Sequence, residues 1–333
     1  MYKSDPETTA ICRILLDAKG KAVSDTVIAD SLSMPIGSVR EGVQRLIAEG
    51  FNMITTSRRH LLQDPPEYDL APTYIASLLT GEQLAGASLH VFDSLDSTQV
   101  KAKELGRSSD APVTVVFSEE QTHGRGRRDR RWLSPRESGL FFSIFLRPLL
   151  PAHRLQLVNL AAGLAVKSAA ETLHSIDLAL KWPNDLLYRE KKVCGILSEA
   201  SFGSGGIVDC RTGIGINISP PSLVESDEEE ILSNACFISE IAGRVHRGEL
   251  AAAILRCFFE LLRSIEADDG RELLSLYKDS CSTLGREVRV VSDDGVVTGR
   301  SIRIGENGEL VVKTRDREFA FCAADVIHAT PNE

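Results

Sequence analysis

The chain has 333 residues, 43% of them hydrophobic and 26% charged, with a formal net charge of −9. That length implies two or three domains with real cores, and the acidic balance makes the whole chain a poor non-specific nucleic-acid binder, so any DNA contact must come from a local element. No apolar run approaches the roughly 18 residues of a membrane span, no N-terminal apolar segment suggests export, and seven scattered cysteines, never in C-x-x-C spacing, argue against a disulfide framework or zinc site and favour a reducing cytoplasm.

The first 64 residues carry helical periodicity. Ile11, Ile14, Leu15 and Ala18 fall on one face, with Gly20 as a stop. A second helix is predicted over Asp25 to Leu32, capped by Ser24, with Val27 and Ile28 inward. A third starts near Pro35 and runs through Val39, Val43, Leu46 and Ile47 to Gly50, carrying exposed Ser38, Arg40, Gln44 and Arg45. Residues 51–56 read as a strand, and Ser57-Arg58-Arg59-His60 as a basic turn before Leu61 and Leu62. This is the pattern of a winged helix-turn-helix, and it nominates Ser38, Arg40, Gln44, Arg45, Arg58 and Arg59 for DNA. Eight Lys/Arg against eight Asp/Glu over residues 1–64 leave room for the alternative, a three-helix bundle used for packing or dimerisation.

Asp64-Pro65-Pro66 breaks the chain. A helix near 72–79 leads into a larger region, 65–281, with strands predicted at 89–92, 113–117, 140–146, 178–181, 193–200 and 208–218 and helices at 97–105, 155–173 and 250–265. Strands outnumber clean βαβ alternation, so a central mixed sheet with helices packed on it, an α+β arrangement, is expected. Residues 220–234 read as an acidic surface loop. From 282 to 333, short strands at 288–291, 297–304, 310–313 and 319–321 with D-G and N-G turns suggest a small β-barrel.

Three strings carry the chemistry. Between Gln121 and Arg136, QTHGRGRRDRRWLSPR gathers six arginines around Asp129. Guanidinium groups and glycine-freed backbone N–H groups suit an anion, although a solvated basic loop or nucleic-acid patch has the same composition. No G-x-x-x-x-G-K-[ST] exists, and Asp129 takes the place of the third glycine of G-x-G-x-x-G, so neither a P-loop nor a dinucleotide fingerprint is present. Lys181-Trp182-Pro183-Asn184-Asp185 places a lysine at a strand end before a tight turn, where it can neutralise phosphate charge or simply sit at the surface. In Gly213-Ile214-Gly215-Ile216-Asn217, alternate glycines leave one strand face bare for a flat or apolar ligand, or mark a bulge or packing contact.

GRGRR followed by Trp132, then KWPND, then KKVCGIL-E and GIGIN, in this order behind the helix-turn-helix pattern, resembles bacterial biotin protein ligases, and more narrowly the bifunctional type that also represses biotin-synthesis genes. The resemblance spans essentially the whole chain. It implies a class II synthetase-like central domain, a C-terminal SH3-like barrel, and a homodimer. It also implies a two-step reaction, in which biotin and ATP, with Mg2+, give biotinyl-5′-AMP and pyrophosphate before biotin passes to a lysine of a biotin carboxyl carrier domain. Operator DNA is the implied second partner, with biotinyl-AMP as corepressor. By motif, Ser97, Thr98, Gln99 and Gln121 are implied at the biotin head, and Arg125, Gly126, Arg127 and Lys181 at its carboxylate and the phosphate. Gly213 and Gly215 are implied in the biotin pocket, and Arg127, Arg128, Trp132 and Asn217 at the adenylate. Lys181 and Arg127 are the implied catalytic groups, no residue is assigned to a metal, and residues 220–234 match a segment that folds over the adenine.

This sequence departs from the family pattern at Gln99, where asparagine is usual, at Asp129, where glycine often follows GRGRR, and in its modestly basic recognition helix. Two further readings are a ligase without DNA binding and a metabolite-sensing regulator that has lost catalysis. The joint GRGRR and KWPND strings disfavour a lipoate ligase.

Overall fold

The computed structural model describes residues 2–79, 86–148, 150–204, 206–222 and 229–328. At the N-terminus, Asp5 accepts a hydrogen bond from the Thr8 amide at 3.0 Å and caps the helix Pro6–Asp17, whose Ile11 and Leu15 are buried. Ser24 caps Asp25–Leu32 in the same way, through the Val27 amide at 3.2 Å. The helix Ile36–Ala48 follows, then the strands Asn52–Thr55 and Arg59–Asp64, which with Val23–Ser24 form a three-stranded antiparallel sheet. Two side chains expected inside are outside. Val27 is 52% exposed and Ile47 is 40% exposed. Successive helical residues lie about 100° apart, so burying Ile28 and Ala29, or Val43 and Leu46, turns these neighbours outward.

The largest sheet has eight strands, in the order Tyr2–Lys3, Ser88–Phe92, Val113–Ser118, Gly139–Leu146, Gly206–Asn217, Lys191–Gly203, Asp185–Tyr188 and Ala179–Lys181. It is mixed. Ser88–Phe92 runs parallel to Val113–Ser118, and the other pairings are antiparallel. Alternate residues serve opposite faces. Val115, Phe117, Phe142 and Ile144 join the main core under the helices Leu155–His174 and Arg247–Asp268, while Val116 and Phe145 meet the helix Thr98–Arg107 through Ala102. With both faces covered, Gly139–Leu146 is buried throughout, which is why GLFFSIFL shows no alternation in sequence.

The turn after Lys181 does not end the sheet but reverses it. Lys181 pairs with Asp185, and the strand Asp185–Tyr188, not expected from the sequence, returns antiparallel. The helix Arg271–Ser280 was also unforeseen. Its amphipathic residues Leu273, Leu274 and Tyr277 are buried against the preceding helices. Beyond it lies a five-stranded antiparallel sheet, ordered Glu318–Phe321, Leu310–Lys313, Gly295–Ile304, Glu287–Ser292, Asp325–His328. Its last strand is a further addition to the expected set. Val288, Val290, Leu310 and Val312 continue the main core, and Trp182 locks the two sheets together by donating from Nε1 to the Gly308 carbonyl at 2.9 Å.

The N-terminal unit is joined to the centre by charge as well as by packing. Arg13 donates to the carbonyls of Ala76, Ser77 and Leu79. Arg247, at the start of its helix, bonds Asp69 and Glu119 together, both at 2.7 Å. Among the described residues no helix is long and apolar enough to cross a membrane.

Candidate active site

A cavity of about 690 Å³ opens between the arginine loop, the mouth of the eight-stranded sheet and the C-terminal sheet. It is lined by Ser97, Thr98, Gln99, Gln121, Arg125, Gly126, Arg127, Arg128, Trp132, Lys181, Gly213 and Gly215, all nominated from the sequence. Asn217 lies in an adjoining cavity of about 260 Å³, which shares Arg131, Trp132, Lys192 and Ile231 with the first. The structure therefore gathers the nominated ligase residues at one double cavity.

One end is polar and built at a helix start. The Thr98 amide and hydroxyl both donate to Gln121 Oε1, at 2.9 and 3.1 Å, and Gln121 Nε2 donates to Ser134 Oγ at 2.8 Å. Thr98 Oγ1 also lies 2.8 Å from Ser143 Oγ. Gln121 is thus oriented by its neighbours at both ends of its amide. Among the described residues, four buried atoms on lining residues, Ser97 Oγ, Gln99 Oε1, Trp132 Nε1 and Asp185 Oδ1, have no hydrogen-bond partner. Buried polar groups are normally satisfied, so a concentration of orphans at one cavity is a specific invitation to a polar ligand.

The middle favours the packing reading of the glycines. Their face of the strand is covered by the chain itself. Gly215 pairs across the sheet with Gly195, and a Cβ at either would lie 2.5 or 2.7 Å from the Trp132 ring; one at Gly213 would approach Gln99 Cδ to 3.1 Å. The glycines therefore admit the indole of the arginine loop, and the wall presented to a ligand is aromatic.

The other end is cationic. The loop turns through left-handed Arg128 (φ 52°) and Asp129 (φ 57°), a conformation aspartate tolerates better than most residues. Arg127 Nη1 donates to Asn184 Oδ1 at 3.3 Å and to the Ala324 carbonyl at 3.0 Å. Burial presses its guanidinium below the ordinary arginine range, against the pull of Asp325 and Asp185. Arg130 and Arg128 also reach Asp325, the former at close hydrogen-bond range and the latter at 3.6 Å, and Arg128 bonds Asp293 at 3.1 Å. Lys181 makes no ion pair among the described residues. Lys192 Nζ lies 2.7 Å from Asp185 Oδ1 and 5.2 Å from the centre of the Trp132 ring. The Lys192–Asp185 contact meets the ion-pair distance but lacks hydrogen-bond geometry, so Asp185 Oδ1 also counts as unbonded.

Sequence reasoning missed Lys192, Asp185 and Asp325 as members of the site. The first two sat inside quoted strings without a role. Asp325, nearly 200 residues from the loop it holds, gave no local signal. In the N-terminal unit, Gln44, Arg58 and Arg59 are exposed, whereas Ser38 is half-buried. Arg40 is held 2.8 Å from Asp25, Arg45 3.0 Å from Asp5, and Arg59 donates to the Ala22 carbonyl. Among residues 220–234, positions 223–228 lie outside the described residues, and Glu229–Ser233 forms a short helix whose Ile231 lines both cavities.

Residues 91–217 match the biotin/lipoate A/B protein ligase family. The chain is 28% identical over 319 residues to the bifunctional ligase/repressor BirA of Bacillus subtilis, covering 95% of this chain and 97% of that protein. It is 30% identical over 257 residues to the biotin–[acetyl-CoA-carboxylase] ligase of Mycobacterium tuberculosis, covering 73% and 91% respectively. The structure of the Aquifex aeolicus biotin protein ligase in complex with biotin and ATP superposes with a TM-score of 0.63 at 31% identity, covering 72% of this chain and 99% of that one.

Proposed function

This chain belongs to the biotin/lipoate A/B protein ligase family, and on that premise we propose that its double cavity is the site where biotin is activated with ATP and then passed to a lysine of a biotin carboxyl carrier domain. The observation that carries this reading is the joining, at one cavity, of orphaned polar atoms, an aromatic wall and an arginine–lysine end. A biotin head needs the first, its thioether ring and the adenine need the second, and a charged acyl phosphate needs the third.

In the first step a carboxylate oxygen of biotin forms a bond to the α-phosphorus of ATP, and the bond to pyrophosphate breaks. Ser97, Gln99 and Gln121 hold the ureido head, with Thr98 fixing Gln121. Arg125, the Gly126 backbone, Arg127 and Lys181 draw the two anions together, and Lys181 and Arg127 neutralise charge as it accumulates on the phosphorus. Gly213 and Gly215 shape the pocket floor through the groups they admit. Arg128, Trp132 and Asn217 line the adenylate side. In the second step the acceptor amine attacks the acyl carbon and AMP leaves. No covalent enzyme intermediate is required.

Magnesium enters this scheme with the nucleotide. The described residues contain no group of three or more potential metal ligands, but Mg2+ commonly takes one or two carboxylates beside phosphates and water. Of the cavity's carboxylates, Asp185, whose Oδ1 has no hydrogen-bond partner, fits that demand and would hold the ion, whereas Asp325 is taken by the arginine loop; when bound, the ion would supply charge neutralisation on the phosphates.

We assign residues 1–64 as a winged helix-turn-helix that represses transcription with biotinyl-AMP as corepressor, residues 65–281 as the ligase domain, and residues 282–333 as an SH3-like barrel, in a cytoplasmic homodimer. Exposed Gln44 and Arg58 beside Arg59 support DNA contact. Arg40 and Arg45, tied to aspartates, serve first to fix the helix against its neighbours. Symmetric operator binding requires a dimer. Transfer of labelled biotin to a carrier domain tests the ligase: label on the acceptor only with ATP present is expected, and no transfer overturns it. A gel shift on the promoter of biotin-synthesis genes tests the repressor: retardation with biotin and ATP is expected, and no retarded band under any ligand condition overturns it.

A further inference from the structure

Beneath the polar end of the cavity runs a chain of charges that the ligase reading leaves unused. Gln99, 3% exposed, lies over the sheet because Gly213 has no side chain. Its Nε2 donates to the Leu197 carbonyl at 2.9 Å and to Glu199 Oε2 at 3.3 Å. Glu199 is paired across the sheet with Arg211, whose Nε donates to the same carboxylate oxygen at 3.2 Å. Arg211 in turn lies 3.9 Å from Asp209, which Arg107 holds at 2.7 Å from the helix Thr98–Arg107. The chain starts at the surface and ends on a residue of the cavity.

The chemistry at Gln99 is one-directional. A carbonyl and a carboxylate can only accept, so the end of the amide facing them must be its NH2 group. The other end, Oε1, is then fixed as an acceptor, and it is the buried Oε1 that has no partner. Without Glu199 the amide keeps only the Leu197 carbonyl to define its sense. Asparagine, one methylene shorter, would have less reach toward both partners.

We propose that Glu199, held by Arg211, is a positioning residue that presents Gln99 Oε1 to a ring N–H of the ligand head, making the site selective for a donor there. This rests on the cavity being the biotin site. Glu199 acts through Gln99 and touches no substrate.

A double-mutant cycle on the full-length protein tests it, reading kcat and KM for biotin in biotin-dependent ATP–pyrophosphate exchange. Glu199→Ala is expected to raise KM for biotin roughly tenfold, the scale of losing one well-placed hydrogen bond, with kcat at saturating biotin and KM for ATP within about twofold of wild type. Gln99→Ala should raise KM for biotin at least as far, and the double variant should be no worse than Gln99→Ala alone. Should Glu199→Ala fail to fold, Glu199→Gln preserves the volume and is expected to raise KM for biotin by roughly threefold, with the same non-additivity. An unchanged KM for biotin in these variants, or multiplicative effects in the double variant, would overturn the positioning role while leaving the ligase reading intact. Absence of biotin-dependent exchange in the wild type would instead overturn the reading on which the proposal rests.

Discussion

His328 sits where the C-terminal sheet meets the strand bearing Lys181. Burial, then the charges of Lys181 and Arg286, depress its imidazole to about 4 from an ordinary 6.5, against the opposing pull of Glu190. Thr283 Oγ1 lies 3.1 Å from its Nε2 and Arg286 Nη1 lies 3.2 Å from its Nδ1. The folded protein therefore holds this ring neutral at a pH where the unfolded chain would bind a proton. With the folded value below the unfolded one, the unfolded state binds more protons between them, so stability must fall as pH drops from about 6.5 toward about 4. A series of urea midpoints across that window should show the fall, and His328→Gln should flatten it; an identical slope in the variant would count against the assignment. Neutrality also spares Lys181 a neighbouring positive charge. The sequence marked Lys181 plainly, because a lysine before Trp-Pro-Asn-Asp is a local pattern. It could not mark His328, whose relevance depends on the last strand folding back.

The arginine loop is the element whose meaning the structure alters most. Its composition announced an anion, and glycine with a left-handed Asp129 allowed its turn. Its actual partner in the described structure is an anion of the same chain, Asp325, contacted by Arg128 and Arg130 and within 3.9 Å of Arg127. One carboxylate gathering several guanidinium groups ties the loop to the C-terminal sheet. Asp325→Asn should therefore loosen it. Limited trypsin digestion without ligands is expected to cleave within 125–131 faster in the variant than in wild type, and equal rates would contradict this anchoring. The Trp132 indole, seated between Gly195 and Gly215, is the second anchor. Neither contact was readable in advance. The paired glycines looked like an open surface, because nothing local identifies a tryptophan more than 60 residues upstream as their filler. Val27 and Ile47 failed for a related reason, since rotation of a short helix is settled by what packs beside it.

At the scale of the molecule, mixed α+β architecture was legible from strand and helix periods, and three segments were expected from the sequence. Their joints were not, because they rest on single long-range side chains. Arg247 bridges Asp69, in the link to the N-terminal unit, and Glu119, two residues before Gln121 of the cavity. Arg247→Met removes the cation and leaves Glu119 buried without it. A loss of roughly 3–5 kcal/mol is expected, measured by urea unfolding, and a change below about 1 kcal/mol would mean that the bridge is ornamental. A separate joint, Trp182 bonded to Gly308, holds the C-terminal sheet where Lys181 from one sheet edge, Arg127 from a loop and Asp325 from that sheet meet at one cavity. The central claim, that this cavity activates biotin with ATP, is tested most directly by biotin-dependent ATP–pyrophosphate exchange in the wild type and in Lys181→Ala. The expected result is exchange that requires biotin and falls at least about a hundredfold in the variant, with fold and stability retained. Wild-type exchange indifferent to biotin, or a Lys181→Ala rate equal to wild type, would contradict it.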